Sequence, residues 1–302
     1  MVGSSIESGE IEQLYADLAE DVSTREKQLR KNFQLNRPQR SIRTYVGSST
    51  TGRADESPSG AVSVCEVYTQ ELGKPLEGSL KQLLTGLDAS INVLDDIIDT
   101  QELTPQTRIS LTVNAAFSAV LLAENCPPET RDEVGNQLRG YFTALFQIPL
   151  VEQRLFALME NAETKDQRQQ VAEQIDAYRS RDIDAFADIA AVITDLDTET
   201  KSRVRHDLQA YRARRLLFKD ISDVERDLRD DDMTPVIQLL QHHETTDELV
   251  AAVMDLYHRF SYSETGHERY GDRLYELEGK PDELESLLIE AEERVNAAGG
   301  VR

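Results

Sequence analysis

From residue 61 onward, apolar side chains recur three or four positions apart, which is the period of an α-helix. No run of alternating apolar and polar residues is long enough to form the strands of a sheet. A chain whose apolar faces are all helical buries them by packing helix against helix. The sequence therefore predicts an all-α fold, a large helical bundle. The predicted helices cover 76–100, 104–124, 129–161 with a kink at Pro149, 182–194, 199–229, 235–243, 247–261 and 281–296.

Capping residues and helix breakers mark several ends of these helices. Thr104-Pro105 combines an N-cap residue with proline at the first helical position. The segment 164–167 has the threonine and glutamine of a capping box, so another helix is expected to begin there. Gly73 and the pair Pro127-Pro128 are expected to end the helices that precede them.

Composition along the chain predicts three regions. Residues 1–46 form an N-terminal extension whose segment 6–33 has the apolar spacing of an amphipathic helix. Residues 47–60 are rich in Ser, Thr and Gly, which is typical of a flexible linker. Residues 61–302 are then expected to form the main helical domain.

The charge of the chain excludes some classes of partner. Its 56 Asp and Glu residues against 33 Lys and Arg give a net charge of −23. A field of this sign repels the phosphates of nucleic acids and anionic membrane surfaces, so we expect neither as a partner. No stretch approaches the roughly 20 apolar residues of a membrane span, so no stable membrane insertion is expected.

The same composition predicts the environment of the protein. Arg outnumbers Lys among the basic residues, and acid-rich, Lys-poor chains resemble cytoplasmic proteins of halophilic organisms. Molar salt shortens the Debye length to about 3 Å and screens the self-repulsion. The start of the chain lacks the pattern of a signal peptide, and Cys65 and Cys126 form no CxxC motif. A cytoplasmic location with inert thiols is expected.

Three aspartates near the end of an otherwise apolar helix are the first candidates for chemistry. Asp95 and Asp99 lie four positions apart, so they share one helical face, and Asp96 adjoins them. Carboxylates are unfavourable at the C-terminal end of a helix, and a divalent cation would offset that cost. Mg²⁺ binds a few carboxylates together with substrate phosphates. The alternative is a solvated acidic helix end.

A second acidic face follows about 120 residues later. Asp223 and Asp227 follow Asp220 by three and seven positions, so the three again share one helical face. Two such faces across a cavity would hold metal ions and a diphosphate between them, because the metals neutralise the charge of a departing diphosphate. The alternative is a surface helix in which Arg226 and neighbouring basic residues pair with these aspartates.

These segments resemble the trans-prenyl diphosphate synthases of the class I isoprenoid synthase superfamily. The segment 94–99 (LDDIID) is similar to their first aspartate-rich motif, DDxxD, and 227–240 (DLRDDDMTPVIQLL) to the segment after their second motif. The segment 72–76 (LGKPL) resembles their GKR element. The resemblance covers about residues 65–295 in order. This chain has Pro75, Lys219 and Asp232 where the family has Arg, Asp and Lys.

The resemblance implies an all-α fold of the class I isoprenoid synthase type around a central cavity, and a Mg²⁺-dependent prenyltransferase. The substrates would be an allylic prenyl diphosphate and isopentenyl diphosphate, and the protein would form a homodimer or a heteromer with a related synthase. Ser90 and Ile91, one turn before the first motif, would line the cavity that sets chain length. The implied metal ligands are Asp95, Asp99, Asp220, Asp223 and Asp227, with Asp96 also in the catalytic set, and the candidate diphosphate-binding residues are Lys74, Arg108 and Arg215.

Two alternatives stay open at this point. The DxxxD spacing of Asp223 and Asp227 resembles squalene and phytoene synthases, and terpene cyclases share the first motif. A noncatalytic member of the same fold, acting as a helical interaction or regulatory protein, is the alternative outside enzymes.

Overall fold

The computed structural model describes residues 20, 60–99, 119, 122–145, 147–230 and 233–297. Every regular element within these residues is helical, so the prediction of an all-α fold is confirmed for them. The α-helices are α1 Gly60–Leu72, α2 Gly78–Asp99, α3 Arg131–Leu145, α4 Ile148–Glu160, α5 Lys165–Arg179, α6 Asp184–Thr194, α7 Thr198–Asp230, α8 Pro235–His242, α9 Thr246–Arg259, α10 Glu264–Glu278 and α11 Pro281–Ala297. Two short 3₁₀-helices, η1 Pro128–Thr130 and η2 Ser180–Ile183, precede α3 and α6.

The chain divides into two compact units. The first comprises residues 1–65 and 75–128, and the second comprises 66–74 and 129–302. Within the first unit, the apolar stripe of α2 is buried, as its helical spacing predicts. Its members are Leu80, Leu83, Leu84 and Leu87, each at most 3% exposed.

The second unit is organised around α7. This 33-residue helix contacts α5, η2, α6, α8, α9, α10 and α11. A helix that long is held on several sides, so its side chains face several neighbours rather than a single core stripe. Its buried apolar residues Leu217, Ile221 and Val224 belong to a core that also takes side chains from α4, α5, α8, α9 and α11.

Capping side chains fix the starts of several helices in this unit. The Thr164 hydroxyl accepts from the Gln167 amide, and the Gln167 side chain accepts from the Thr164 amide, which confirms the predicted capping box. The Thr234 hydroxyl accepts from the Ile237 amide at the start of α8, and the Thr245 hydroxyl accepts from the Glu248 amide at the start of α9. Each cap satisfies a backbone N–H that the helix itself leaves without a partner.

Two helix predictions need correction. The interval 129–161 is not one kinked helix: α3 ends at Leu145 and α4 begins at Ile148, with Pro149 in its first turn. Proline is tolerated there because the first-turn N–H groups have no intrahelical acceptor. The helix α10 has no counterpart among the predicted helices, because Gly266 and Gly271 weaken its helical pattern.

Other predictions fall beyond the described residues or stay open. The N-terminal helix over 6–33 and the linker over 47–60 lie almost entirely outside them, as does the predicted helix start at Thr104-Pro105. Cys65 and Cys126 are buried free thiols. Across the ranges given above, no helix has the combination of length and apolar character that a membrane span requires.

Candidate metal and diphosphate site

The second acidic segment lies on the C-terminal half of α7. Asp220 is 2% exposed and Asp227 is 4% exposed, while Asp223 is half-buried. Their spacing puts them along one side of the helix. Burial of two carboxylates on the same face is unusual for a solvated helix, because an ionised carboxylate loses its hydration when it is buried.

Arg179, the last residue of α5, neutralises Asp220. Its Nη1 donates to Oδ2 of Asp220 at 2.7 Å, and its Nη2 donates to Oδ1 at 3.1 Å. The pair is therefore bidentate, the geometry in which a guanidinium binds a carboxylate most strongly. Both oxygens of Asp220 are engaged, so a cation can bind this carboxylate only by sharing it with Arg179 or displacing it.

Two further carboxylates share the same arginine. Oδ1 of Asp176 lies 3.4 Å from Nη1 of Arg179, and Oε1 of Glu152 lies 3.4 Å from its Nε. Asp176 is fully buried, and its Oδ2 has no hydrogen-bond partner. Burial raises the pKa of Asp176 well above its ordinary value, although Arg179 opposes that shift. The cluster thus holds three carboxyl groups against one guanidinium.

Arg226 holds the other two aspartates of the segment. Its Nη2 donates to Asp223 Oδ2 at 2.8 Å and to Asp227 Oδ1 at 2.9 Å. Burial raises the pKa of Asp227, and the hydrogen bond from Arg226 lowers it in part. The pairing of Arg226 with these aspartates agrees with the ion-paired alternative, whereas the burial of Asp227 does not.

The arginines that precede this segment on α7 also pair with groups of the protein itself. Arg212 donates through Nε to both oxygens of Asp182, each at 2.9 Å. Arg215, a candidate for diphosphate binding, donates from Nη1 to the Leu277 carbonyl at 2.7 Å. Towards the N-terminal end of α7, Arg205 pairs with Asp188 on α6. Arginines along α7 therefore pair with oxygen atoms of residues on η2, α6 and α10.

The first acidic segment belongs to the other unit. Asp95, Asp96 and Asp99 occupy the last two turns of α2, as predicted, while their side chains lie outside the described part of the structure. Ser90 is buried and donates its hydroxyl to the Gly86 carbonyl at 2.9 Å, and Ile91 is half-buried.

The remaining candidates for diphosphate binding differ in accessibility. Lys74 is exposed in the turn that follows α1, next to Gly73, whose φ of +62° ends that helix. Arg108 lies outside the described residues. Lys74 is thus free to reach a ligand from the surface.

Sequence patterns alone do not identify the whole cluster. Arg179, Asp176 and Glu152 belong to neither of the two acidic faces that the sequence predicts. The available signal is local: Asp176 precedes Arg179 by three positions, so the two share a helical face. Glu152 comes from α4, which packs on α5, and no spacing rule connects them.

The donor chemistry of the cluster suits a hard divalent cation, since carboxylate oxygens are the ligands that Mg²⁺ prefers. Because Arg179 lies between the carboxyl groups of the cluster, their arrangement is not that of a formed metal site. Among the side chains that the structure describes, no group of three or more His, Cys, Asp or Glu is positioned to hold a metal ion. A metal ion bound at Asp220 would therefore share this carboxylate with Arg179 or displace it.

Comparisons of this chain with protein-family models, with curated proteins and with solved structures found no match.

Proposed function

We propose that this protein is a Mg²⁺-dependent prenyltransferase of the class I isoprenoid synthase type, which acts on allylic prenyl diphosphates and elongates them with isopentenyl diphosphate. One observation supports this function above the others: Asp220 and Asp227 share a buried face of the long helix α7. A solvated surface helix would leave both carboxylates in water. The three aspartates of this segment share two arginines, Arg179 and Arg226, and this excess of carboxylates fits a site that takes up cations.

The roles follow from the chemistry of the side chains. Bound Mg²⁺ would neutralise the charge that develops on the departing diphosphate. Guanidinium and ammonium groups would bind the phosphate oxygens, arginine in a bidentate manner. The proposed metal ligands are Asp95, Asp99, Asp220, Asp223 and Asp227, with Asp96 beside them, and the proposed diphosphate-binding residues are Lys74, Arg108 and Arg215.

Arg179 gives this proposal a specific requirement. A cation that binds Asp220 must compete with a bidentate guanidinium whose donor atoms lie 2.7 and 3.1 Å from the carboxylate oxygens. Charge balance favours the exchange when a diphosphate arrives together with the metal, because the released guanidinium then has an anion to bind. Mg²⁺ and diphosphate should therefore bind together more tightly than either binds alone.

A noncatalytic helical interaction or regulatory protein is the second candidate. The observation that favours it is that Asp220, Asp223 and Asp227 each already have an arginine partner. A structural network of this kind needs no metal. A terpene cyclase or a squalene-phytoene-type synthase is the remaining alternative. Neither enzyme uses an isopentenyl site, so either would act without isopentenyl diphosphate.

The deciding experiment is an activity assay of the full chain in molar KCl with Mg²⁺. Dimethylallyl, geranyl, farnesyl and geranylgeranyl diphosphate are each supplied with and without isopentenyl diphosphate, and the products are identified by mass spectrometry. Chain-extended diphosphates are the expected result. Hydrocarbons or alcohols formed without isopentenyl diphosphate would identify a cyclase or a head-to-head synthase. Absence of turnover by folded protein in all mixtures would favour the noncatalytic candidate.

Two variants test the acidic segment. Asp220→Asn should lower kcat by about 10²-fold or more, because it removes a charge that holds the metal. Asp272→Asn is the matched control, since Asp272 is exposed on α10 and should leave kcat unchanged. Size-exclusion chromatography with light scattering tests the homodimer that the resemblance implies, the other implied state being a heteromer with a related synthase.

Thermal stabilisation by Mg²⁺ with inorganic diphosphate tests the site without requiring a substrate. The combination should raise Tm more than either component alone in the unaltered protein. Asp95→Ala should remove that linkage. Equal stabilisation of the variant and the unaltered protein would contradict the assignment of Asp95 as a ligand.

A further inference from the structure

Arg179 contacts more carboxyl groups than it needs to balance its charge. Its Nη1 donates to Oδ2 of Asp220 at 2.7 Å and also to Oδ1 of Asp176 at 3.4 Å. Oε1 of Glu152 lies 3.4 Å from its Nε. Because Asp220 already engages both Nη atoms, Asp176 and Glu152 are additional partners of the same guanidinium. We call these two residues the alternative acceptors.

The first of the alternative acceptors has capacity for a further donor. Asp176 is fully buried, and its Oδ2 has no hydrogen-bond partner. A buried oxygen without a donor costs free energy of folding, since it has lost its water and gained nothing in exchange. A donor that moved to this carboxyl group would therefore relieve a cost that the present arrangement carries.

The geometry lets Arg179 change partner without moving a helix. Asp176 precedes it by three positions on α5, so the two side chains share one helical face. A movement of Nη1 by about 0.5 Å would shorten its 3.4 Å contact with Asp176 to the usual hydrogen-bond length of about 2.9 Å. Rotation about the side-chain bonds of Arg179 is sufficient for that movement.

The alternative acceptors lower the cost of placing a cation on Asp220. A cation that displaced Arg179 in their absence would leave a largely buried guanidinium with no anion beside it. An uncompensated buried charge is strongly unfavourable. In their presence the guanidinium keeps a carboxylate partner, so the displacement exchanges one ion pair for another.

We propose that Asp176, together with Glu152, is a positioning residue for metal binding, which takes over the guanidinium of Arg179 when a divalent cation occupies Asp220. This inference rests on the proposed function, because it takes Asp220 to be a metal ligand. It deepens that function by giving a role to two carboxyl groups that belong to neither predicted acidic face. When a diphosphate is bound as well, its oxygen atoms compete with the alternative acceptors for the same guanidinium.

A double-mutant cycle tests the transfer with Mg²⁺ alone. Isothermal titration calorimetry of the full-length protein at about pH 8 in molar KCl gives the Kd, and the binding that persists in Asp220→Asn is subtracted. Asp176→Asn should raise the Kd for Mg²⁺ about tenfold when Arg179 is present, because the displaced guanidinium loses its acceptor. The same substitution should raise the Kd by no more than about twofold when Arg179→Gln has removed the guanidinium.

The possible results separate this inference from the proposed function. Equal effects of Asp176→Asn with and without Arg179 would overturn the transfer, since they would reflect only the loss of a nearby negative charge, and Asp220 would remain a ligand. If Asp220→Asn binds Mg²⁺ as tightly as the unaltered protein, the ligand assignment and the transfer both fail. Asp166→Asn, at an exposed position of α5, is the charge-matched control and should leave the Kd unchanged.

Glu152→Gln tests the same transfer if Asp176→Asn or Arg179→Gln does not fold. The Glu152 side chain is one quarter exposed, so the protein tolerates the loss of its charge more easily. Molar KCl shortens the Debye length to about 3 Å, so an exposed charge acts mainly through direct contact. Glu152→Gln should raise the Kd for Mg²⁺ about threefold or more, whereas Glu160→Gln, at an exposed position of the same helix α4, should not. No difference between these two variants would overturn the proposal.

Crystals of the unaltered protein, grown with saturating Mg²⁺ and without diphosphate, would show the transfer directly. With Mg²⁺ on Asp220, Nη1 of Arg179 should lie within about 3 Å of a carboxylate oxygen of Asp176. A guanidinium that stays bidentate on Asp220 or turns to solvent would overturn the proposal.

Discussion

A single glycine determines whether α10 can approach α7. A Cβ built on Gly266 would lie 2.0 Å from Oδ2 of Asp207 and 2.8 Å from Oγ of Ser263. Asp207 is fully buried and accepts from the Ser263 amide, the Ser263 hydroxyl and the Tyr270 hydroxyl. Any side chain at Gly266 must move the acceptor that fixes the start of α10.

Gly266→Ala should therefore lower the free energy of unfolding by about 3 kcal/mol, through overpacking and the loss of hydrogen bonds to a buried carboxylate. Urea unfolding in molar KCl measures the change. Gly135→Ala is the matched control, because nothing lies within 4 Å of a Cβ built there and the helix α3 gains propensity. Equal effects of the two substitutions would contradict the packing at Gly266.

Arg179 is the common counter-ion of two buried carboxyl groups in the second unit. Arg179→Gln leaves Asp220 and Asp176 buried without their common counter-ion, so the free energy of unfolding should fall by about 3–5 kcal/mol at neutral pH. The double variant Arg179→Gln, Asp220→Asn should recover part of that loss, since it removes one of the uncompensated charges. Failure of the double variant to recover any stability would contradict this assignment of the loss.

Arg179→Gln also separates the two candidate functions. If Asp220 is a metal ligand, Mg²⁺ should raise the Tm of Arg179→Gln more than that of the unaltered protein, because the cation no longer competes with a guanidinium. In a purely structural network, Mg²⁺ should affect both proteins equally. Differential scanning fluorimetry over a Mg²⁺ titration distinguishes these outcomes.

At the scale of the element, nearby residues determine where a helix begins or ends. Which other helices it contacts depends on the whole fold. The capping box of α5 forms from Thr164 and Gln167 without help from the rest of the fold. The same chain segment ends at Arg179, whose partner Asp220 lies 41 positions away. The start of α5 can therefore be predicted from four consecutive residues, whereas the partner of Arg179 at its end cannot.

Thr164→Ala should lower the free energy of unfolding by about 1 kcal/mol, the usual cost of losing an N-cap hydroxyl. Thr143→Ala is a matched control on the exposed face of α3, where the hydroxyl bonds only to its own helix at Arg139. Its effect should stay within about 0.5 kcal/mol. A cost as large as that of Thr164→Ala would contradict the separate contribution of the cap.

At the scale of the whole molecule, the net charge of −23 dominates the response to salt. Raising KCl from about 0.1 M to about 2 M shortens the Debye length several-fold and screens the repulsion among the acidic groups. Tm at about pH 8 should therefore rise steeply with KCl. The rise should be much smaller at about pH 4, where many carboxylates are protonated. Salt effects of equal size at both pH values would contradict this explanation.

The sequence by itself determined the all-α class, most helix ends and the two acidic faces. These features depend on the 3.6-residue period and on capping residues, which act over a few positions. The acidic face at 220–227 is predictable in this way because its three aspartates lie on one helix. The same local rules explain why Pro149 signals a break but not whether the break is a kink or a new helix.

Only the tertiary structure decided the existence of α10 and the partners of the charged side chains. Gly266 and Gly271 argue against a helix by propensity, yet Gly266 is required by its close approach to Asp207 on α7. Arg214 on α7 contacts tyrosine rings from α9, the turn after α9, and α10, and Arg179 joins α5 to α7. Such pairs depend on which helices pack together. The packing of the helices minimises the exposed apolar area and the buried uncompensated charge of the whole chain, not of any one segment.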